Sequence, residues 1–394
     1  MRQAAILVGG KGTRLGGLAG DRPKPFVDIG GRPFIDRLIE HAKCQGIESI
    51  VFLAGHNSAW IRSHYRCGVA GVSIEIVEEN EPMGTGGALK NAAGFLDATF
   101  LLLNGDSILA GNWSALYPLA DTSAAVIATR KLDDTGRYGR VARSGSLVTA
   151  FDEKAGGGPG EVNAGIYAIN RDAVLRSIEG PCSLENDILP KLVAQKTVSA
   201  AELIGYFIDI GLPDTLDSAR QSLDANLRAP AAIFDRDNTL VEDKGYTHKI
   251  KDLVWKDGAI EAIRACNNKG YKTFVATNQA GIARGYYGVS DMAAFHAEMQ
   301  RQLWQAGAHI DGFYHCPHHP DGTIEGLGRS CECRKPATGM LRSIFSDHNL
   351  DAELSFMIGD MEKDVQCAKN FGLKPLLADG SPLVEQLGKE RLVA

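Results

Sequence analysis

Residues suited to phosphate chemistry or to metal binding occur in three places along this 394-residue chain. The first is a glycine-rich loop that follows a short apolar run near the N-terminus. Glycines let the backbone approach phosphate oxygens, backbone N–H groups there can receive negative charge, and nearby cations add fixed positive charge. This composition suits a triphosphate, and the residues expected to bind it are Gly9, Gly10, Gly12, Thr13, Arg14 and Lys24.

Two other glycine-rich phosphate loops do not fit this segment. A dinucleotide-binding fingerprint would need a glycine at position 15, where the chain has Leu15. A Walker A loop would end in Gly-Lys-Ser or Gly-Lys-Thr, whereas this loop ends in Thr-Arg-Leu. A turn that serves packing alone would not require an arginine and a lysine beside the glycines.

The second place is an Asp-x-Asp pair, Asp235 and Asp237, directly after the apolar run AAIF. One carboxylate of such a pair can attack phosphorus while the other exchanges a proton with the leaving oxygen. Further polar groups follow later apolar runs or precede a proline. They are Thr277-Asn278-Gln279, Arg334-Lys335-Pro336, and Asp360 with Asp364.

The third place is a loop that contains paired cysteines and histidines. Three thiolates and one imidazole at this spacing form the closed tetrahedral set of a structural zinc site. The expected ligands are Cys316, His318, Cys331 and Cys333. His315 and His319 are alternatives for the fourth position. Because Arg334 and Lys335 follow the last ligand, we expect the zinc to fix a substrate-binding loop and to take no part in the chemistry.

Short apolar runs alternate with amphipathic stretches along the whole chain, which predicts strands and crossover helices. The alternation restarts after Arg228, so we predict two α/β domains, residues 1–224 and 225–394, with the boundary near residues 222–230. Both are expected to be doubly wound. The first should have a Rossmann-like mixed sheet, and the second a parallel sheet with the zinc loop.

The amino-acid composition limits which kinds of binding partner the protein is expected to have. A net charge of −6 lacks the basic surface of a nucleic-acid binder. No membrane span is predicted, because no apolar run approaches ~20 residues. No signal peptide is predicted either, because glycines and charges interrupt the short apolar stretch at the start of the sequence. Most of the 8 cysteines are scattered singly, unlike a disulfide framework. We therefore expect a cytoplasmic protein with small-molecule substrates, no nucleic-acid or membrane partner, and a possible homo-oligomer.

The loop G-G-x-G-T-R-L followed by P-K-P resembles that of the sugar-1-phosphate nucleotidyltransferase family. Later motifs in the first half follow the order of that family: residues 82–88 (PMGTGGA), 103–107 (LNGDS), 151–154 (FDEK), 163–167 (NAGIY), 183–185 (SLE) and 207–211 (FIDIG). The resemblance implies in-line attack of a sugar-1-phosphate oxygen on the α-phosphorus of a nucleotide, without a covalent intermediate.

The same resemblance assigns roles to individual residues. Gly84, Thr85 and Gly86 would line the base and ribose, and Arg14 and Lys24 would be catalytic. The sugar would be held by Glu153, Lys154, Asn163, Gly165 and Glu185. Asp106, which also belongs to the nucleotide site, would share a Mg²⁺ with Asp209; two carboxylates can hold an octahedral Mg²⁺ that also contacts substrate phosphates.

Residues 137–139 (RYG) and the F-I-D-I-G segment are similar to those of the D-glycero-α-D-manno-heptose 1-phosphate guanylyltransferases. Enzymes that act on mannose 1-phosphate or on other sugar 1-phosphates share most of these motifs. They remain the alternative for the first half.

In the second half, D-x-D-x-T and the later motifs resemble the haloacid dehalogenase-type phosphatases. The resemblance implies that Asp235 forms an aspartyl-phosphate and that Asp237 is the acid and base. Phosphate would be bound by Thr277, Asn278, Arg334 and Lys335, and Mg²⁺ by Asp235, Asp237 and Asp360. Asp364 could support the metal site or lie on a helix surface. The sequence departs from the usual family pattern at Asn238 and Met361.

The zinc loop is similar to that of a branch containing heptose 1,7-bisphosphate 7-phosphatases and histidinol-phosphate phosphatases, and residues 245–248 (GYTH) and 281–285 (GIARG) favour the heptose members. Together the resemblances imply an enzyme of GDP-heptose biosynthesis with Mg²⁺ in both active sites, acting on GTP and heptose phosphates. One alternative is a different sugar nucleotidyltransferase joined to a different phosphatase. Another is that one half is an inactive binding module.

Overall fold

The computed structural model describes residues 2–9, 23–55, 58–152 and 156–393. The chain divides into two compact units, Met1–Leu223 and Asp224–Ala394. Among the described residues, no helix combines the length and the apolar character that a bilayer crossing requires.

The first unit alternates strands and helices. Its described strands are β1 (Gln3–Leu7), β2 (Asp28–Ile29), β3 (Arg32–Pro33), β4 (Ser49–Ala54), β5 (Ser73–Glu78), β6 (Thr99–Asn104), β7 (Ser107–Ala110), β8 (Ala125–Leu132), β9 (Arg140–Ser144), β10 (Leu147–Asp152), β11 (Gly160–Asn170), β12 (Val198–Glu202) and β13 (Tyr206–Asp209). Its described α-helices are α1 (Phe34–Cys44), α2 (Ser58–His64), α3 (Gly84–Asn91), α4 (Tyr117–Ala120), α5 (Arg171–Leu175), α6 (Leu189–Ala194) and α7 (Pro213–Asn226), the last of which runs past the unit boundary. Short 3₁₀ turns cover Lys24–Phe26, Ala93–Phe95 and Trp113–Leu116, and a π-helical turn covers Leu184–Ile188.

Nine of these strands form one mixed sheet in the order β5-β4-β1-β6-β11-β8-β12-β10-β9. Strands β5, β4, β1 and β6 run parallel, whereas β11 is antiparallel to both of its neighbours β6 and β8. The central strands are almost wholly buried apolar runs, as expected for a sheet covered on both faces. The mixed sheet predicted for the first half is therefore confirmed.

The topology brings three chain segments to one edge of this sheet. Because β1 and β6 are parallel neighbours, with Leu7 opposite Asn104, Gly9 and Asp106 emerge at the same edge. A separate two-stranded sheet pairs β7 with β13 and sets Asp209 opposite Ser107. The second carboxylate is thereby carried next to Asp106.

The second unit also alternates strands and helices. Its strands are β14 (Ala229–Phe234), β15 (Lys272–Asn278), β16 (Gly312–Cys316), β17 (Leu350–Gly359) and β18 (Lys374–Leu377). Its α-helices are α8 (Ala259–Asn268), α9 (Ala280–Ala283), α10 (Val289–Gln305), α11 (Gly339–Asp347), α12 (Glu362–Phe371) and α13 (Leu383–Lys389), and Ile250–Asp252 is a 3₁₀ turn.

The five strands form a sheet in the order β16-β15-β14-β17-β18, and every pair is parallel. Side chains from α8, α10 and α13 join one apolar cluster, and side chains from α11 and α12 join another. Alternating residues of β14 point into the two clusters, with Phe234 in the first and Ile233 in the second. Helices therefore cover both faces, which confirms the doubly wound parallel sheet.

The carboxyl ends of the three central strands meet at one edge of this sheet. Asp235 follows β14, Asn278 ends β15, and Asp360 follows β17. This edge is where open α/β sheets bind ligands.

Candidate functional site

A cavity of about 380 Å³ opens at the strand edge of the first unit. Its size lies within the range usual for small-molecule sites. Its wall is formed by Leu7, Gly9, Lys24, Pro25, Leu53, Gly55, Glu79, Pro82, Gly84, Thr85, Ala88, Asn104, Gly105, Asp106 and Glu185. Six residues that the sequence predicted for nucleotide or sugar binding therefore share one cavity.

Lys24 lies between the two carboxylates that were predicted to share Mg²⁺. Its Nζ donates to Asp106 Oδ2 and lies 3.9 Å from Asp209 Oδ1. Asp209 is also fixed by the backbone N–H of Gly211, which donates to its Oδ1 at 2.5 Å. The two aspartates thus face a common cation and do not point apart.

The environment of Asp209 makes its ionised form less favourable than that of an exposed aspartate. Burial, and then the negative charge of Asp106, raise the pKa of Asp209 to about 6, while Lys24 opposes this change. Two carboxylates this close are stable when a cation lies beside them. Their chemistry fits Mg²⁺, which prefers carboxylate oxygens and substrate phosphates.

The predicted sugar residues are linked by hydrogen bonds through Tyr167. Asn163 Nδ2 donates to the Tyr167 hydroxyl at 2.6 Å, and that hydroxyl lies 3.4 Å from Glu185 Oε1. The Thr85 hydroxyl donates to Glu185 Oε2 at 2.8 Å. Gly165 has φ +73° and lies so close to Asn104 that a Cβ would meet its Nδ2 at 2.9 Å. The structure therefore brings Asn163, Gly165, Thr85 and Glu185 together.

The glycines at the start of α3 have a backbone role. Gly84 has φ +73°, and a Cβ there would lie 2.4 Å from the carbonyl oxygen of Cys182. Gly86 donates its N–H to the same carbonyl at 2.9 Å and lies against the Cys182 side chain. Both glycines therefore permit the close approach of the Cys182 segment, and Gly84 also lines the cavity.

Two cavity residues were not singled out from the sequence. Glu79 Oε1 and Asn104 Oδ1 are buried and have no hydrogen-bond partner among the described residues. Burial raises the pKa of Glu79, although a hydrogen bond from the Met83 backbone opposes this effect. Buried acceptors without partners are costly, so a ligand that donates to them would stabilise both.

Several predicted residues of the first unit lie outside the described residues, namely Gly10, Gly12, Thr13, Arg14, Glu153 and Lys154. Their assignment to nucleotide or sugar binding stays a prediction.

In the second unit, a buried lysine joins two aspartates at the strand edge. Lys335 Nζ lies 2.7 Å from Asp235 Oδ1 and 2.7 Å from Asp364 Oδ1. Burial alone would lower the pKa of Lys335, but the charges of Asp235 and Asp364 raise it above its ordinary value. Asp364 was expected either to support the metal site or to lie on a helix surface. Its side chain is 0% exposed, which excludes the helix surface.

Asp360 completes a carboxylate cluster with Asp235 and Asp364. The ligand oxygens of all three lie within 4.8 Å of one another. Burial, and then the charges of the other two, raise the pKa of Asp360. This donor set fits Mg²⁺. Among the described residues, the cluster does not include the carboxylate of Asp237, which was predicted as a further ligand.

Asp237 is held from both sides by uncharged and charged donors. Its Oδ1 accepts a hydrogen bond from Arg236 Nε at 2.8 Å, and Arg236 Nη2 lies 2.7 Å from the same oxygen. Its Oδ2 accepts from Gln279 Nε2 at 2.9 Å. Burial raises the pKa of Asp237, and Arg236 opposes that shift.

The predicted phosphate-binding residues surround these carboxylates. Asn278 fixes the backbone of Lys335 twice, accepting its N–H at 3.0 Å and donating to its carbonyl at 3.2 Å. Thr277 is fully buried and accepts a hydrogen bond from Gln279 Nε2 at 2.8 Å. Asp235, Asp237, Asn278, Arg334 and Asp360 line a cavity of about 260 Å³.

Both departures from the usual family pattern line this cavity. Asn238 has φ +59°, a left-handed conformation that asparagine tolerates better than most residues. Met361 is 49% exposed, so it adds an apolar, uncharged side chain to the cavity wall.

The four predicted zinc ligands converge. Three sulfur–sulfur distances lie between 3.1 and 3.4 Å, and His318 Nδ1 lies 3.3 Å from Cys333 Sγ. These separations are too long for disulfide bonds, near 2.0 Å, and fit ligands that surround one Zn²⁺. Of the three candidate histidines, His318 belongs to the set, whereas His319 accepts from the backbone N–H of Asp321.

The zinc loop is joined to the phosphate site through its backbone. The Arg334 guanidinium donates to the carbonyl of His318 at 3.2 Å, and Lys335 follows directly. A metal that fixes His318 would therefore also fix Arg334 at the cavity wall.

Comparison with known proteins identifies relatives of both units. A family model described as nucleotidyl transferase matches residues 3–226. A model described as HAD-hydrolase-like matches residues 332–385.

Two crystal structures of HddC from Yersinia pseudotuberculosis, one of them complexed with GMP-PN, are 32% identical to the chain. Each covers 57% of this chain and 100% of its own, with a TM-score of 0.52.

Curated relatives match over about 40% of this chain. The D-glycero-beta-D-manno-heptose-1,7-bisphosphate 7-phosphatase of Yersinia pestis is 39% identical over 159 residues, which are 85% of its length. The enzyme of the same name from Photorhabdus laumondii is 42% identical over 156 residues, which are 83% of its length.

The zinc set yields a prediction for the second unit. We expect the purified chain to hold about one zinc ion, and Cys331→Ser to lose it. The variant should lose most phosphatase activity, because Arg334 and Lys335 are no longer fixed, and should keep nucleotidyl transfer. Elemental analysis beside both assays measures this. Cys67→Ser, at an exposed cysteine outside the cluster, should change nothing; full zinc content in Cys331→Ser would contradict the ligand set.

Proposed function

We propose that this chain, which belongs to the nucleotidyl transferase family and carries a HAD-like phosphatase unit, catalyses two steps of GDP-heptose biosynthesis, one in each unit. The second unit would remove the 7-phosphate of heptose 1,7-bisphosphate. The first would then join the resulting heptose 1-phosphate to GMP from GTP and release pyrophosphate. The observation that carries this proposal is that each unit places two aspartates around a lysine at the ligand-binding edge of its sheet.

In the first unit, a phosphate oxygen of the sugar 1-phosphate would attack the α-phosphorus of GTP as the bond to pyrophosphate breaks. Glu185, with the Asn163 and Tyr167 side chains behind it, would hold the sugar beside the nucleotide. Lys24 would offset the charge that grows on the leaving pyrophosphate. Mg²⁺ held by Asp106 and Asp209 would supply further neutralisation.

The buried carboxylate oxygen of Glu79 suits guanine better than uracil or thymine. Guanine presents two adjacent donors, the N1–H and the exocyclic amino group, whereas uracil and thymine flank their single N–H with carbonyl oxygens that a carboxylate repels. Binding guanine would satisfy Glu79 Oε1, which has no hydrogen-bond partner among the described residues. The complex of HddC with GMP-PN supports the same base.

In the second unit, Asp235 would attack the 7-phosphorus and form an aspartyl-phosphate while Asp237 donates a proton to the sugar oxygen that leaves. Water, deprotonated by Asp237, would then release phosphate. Thr277 and Lys335 would bind the transferred phosphoryl group. Mg²⁺ at the cluster of Asp235 and Asp360 would screen repulsion between the carboxylate and the phosphate.

The heptose substrate is favoured over mannose 1-phosphate or histidinol phosphate because the two relatives named above for the second unit are heptose bisphosphate phosphatases. The product of that reaction carries the 1-phosphate that a transferase of this family needs. An inactive half is disfavoured because both units keep their carboxylates together. We also propose a cytoplasmic location, where cysteines stay reduced and can bind zinc.

A pair of variants separates the two activities. Asp235→Asn should abolish phosphate release, because an amide cannot form the aspartyl-phosphate, and should leave nucleotidyl transfer to heptose 1-phosphate unchanged. Asp106→Asn should do the reverse. Assays of inorganic phosphate and of GDP-sugar measure both steps. Loss of both activities in either variant would overturn the assignment of one reaction to each unit.

The base assignment is tested with GTP and ITP, which lacks the exocyclic amino group. The wild type should use GTP with the higher kcat/KM, and Glu79→Gln should reduce this preference about tenfold, because it replaces a hydrogen bond to a charged group, ~1.5–3 kcal/mol, by one to a neutral group, ~0.5–1.5 kcal/mol. Glu81→Gln, at an exposed neighbour outside the cavity wall, is the matched control. An unchanged GTP preference in Glu79→Gln would contradict the role of this carboxylate.

A further inference from the structure

Gln279 is a buried residue to which neither the phosphatase motif nor the proposed mechanism gives a role. It is 1% exposed and follows Thr277 and Asn278 at the end of β15. Its amide nitrogen donates two hydrogen bonds, to Asp237 Oδ2 at 2.9 Å and to Thr277 Oγ1 at 2.8 Å. One amide group therefore joins the proton-transfer residue to the residue expected to bind the phosphoryl group.

The orientation of this amide is fixed by Tyr287. The tyrosine hydroxyl donates to Gln279 Oε1 at 2.6 Å. In the step that deprotonates water, the carboxylate of Asp237 is ionised and only accepts hydrogen bonds, so the amide NH₂ faces it and the amide oxygen faces Tyr287. Burial raises the pKa of Tyr287 to about 12, so the hydroxyl keeps the proton that it donates.

Tyr287 is itself held in place by packing. Its ring stacks on His248, with centroids 4.4 Å apart and planes 15° from parallel. On another side the ring lies so close to Gly281 that a Cβ there would be 2.2 Å from it. The packing of the ring therefore fixes the position of the hydroxyl that donates to Gln279.

The two bonds donated by Gln279 have different consequences. On Asp237, Arg236 occupies Oδ1, and the amide fixes Oδ2, the oxygen left for proton exchange. On Thr277, the hydroxyl oxygen already accepts from the amide, so its own hydrogen is directed elsewhere and can be donated to a phosphoryl oxygen.

We propose that Gln279 is a positioning residue of the phosphatase unit, whose amide, oriented by Tyr287, sets the carboxylate of Asp237 and the hydroxyl of Thr277 relative to one another. This inference rests on the proposed phosphatase function and adds a residue to it. Proton transfer to a leaving oxygen depends steeply on such placement. The loss of Gln279 therefore matters most where the leaving group needs a proton.

The test compares two leaving groups in the full-length chain. A sugar alkoxide must be protonated as it leaves, whereas nitrophenolate needs little help. The value of kcat/KM reports the steps up to formation of the phosphoenzyme. Gln279→Met should lower kcat/KM about 100-fold on heptose 1,7-bisphosphate and less than about tenfold on p-nitrophenyl phosphate. Tyr287→Phe, which frees the amide to turn, should show the same pattern with a loss of about 3–10-fold on the sugar.

The control is Tyr271→Phe, since this tyrosine packs on Phe356 and precedes the opposite end of β15. It should leave both rates unchanged, and nucleotidyl transfer by all three variants should match the wild type. Equal losses on both phosphate substrates, or no loss in Gln279→Met, would overturn the inference. If Gln279→Met does not fold, Tyr287→Phe provides the test by itself: equal losses of kcat/KM on the two phosphate substrates would overturn the inference.

The assignment of the heptose bisphosphate as substrate can be refuted independently of the role of Gln279. A wild-type chain that hydrolyses p-nitrophenyl phosphate but not the heptose bisphosphate would refute the substrate. The comparison of leaving groups would then be made on whichever alkyl phosphate of a sugar-phosphate panel the wild type cleaves.

Discussion

Repulsion between carboxylates and phosphates is the constraint around which both units are built. Each proposed reaction brings a negatively charged substrate to a pocket that already holds two or three aspartates. Two unit charges about 4 Å apart near a protein surface interact by ~4 kcal/mol. A nearby cation is therefore required before the substrate can approach.

The two units meet this constraint with the same arrangement on different folds. In the mixed sheet, Lys24 stands between Asp106 and Asp209. In the parallel sheet, Lys335 stands between Asp235 and Asp364. In both cases one carboxylate lies within two residues of the end of a strand and the other comes from a segment distant in sequence, so a single lysine contacts two parts of the chain.

The sequence predicted the parts of this account that depend on local pattern. The alternation of apolar runs and amphipathic stretches predicted both sheets, and the motif residues Asp235, Lys335 and Asp360 were each assigned to one site. The spacing of Cys316, Cys331 and Cys333 likewise predicted a metal set. His318 was the expected fourth ligand, with His315 and His319 as alternatives because the choice depends on how the loop turns, and the structure brings in His318.

Features that depend on tertiary burial could not be read from the sequence. Asp364 occupies the first turn of α12, where its spacing equally suits an exposed cap, and only the packed structure shows it buried against Lys335. Glu79 belongs to no motif, and its Oε1, which has no partner in the described part of the chain, is buried only once α3 and the strands enclose the cavity. Gln279 lies inside a motif, but the hydrogen bond from Tyr287 depends on the packing of the tyrosine ring on Gly281.

The most direct test is a phosphorus NMR time course of the wild-type chain with Mg²⁺, GTP and heptose 1,7-bisphosphate. Inorganic phosphate and heptose 1-phosphate should appear first, followed by pyrophosphate and a GDP-sugar, whereas an unchanged bisphosphate signal with no GDP-sugar would contradict the account.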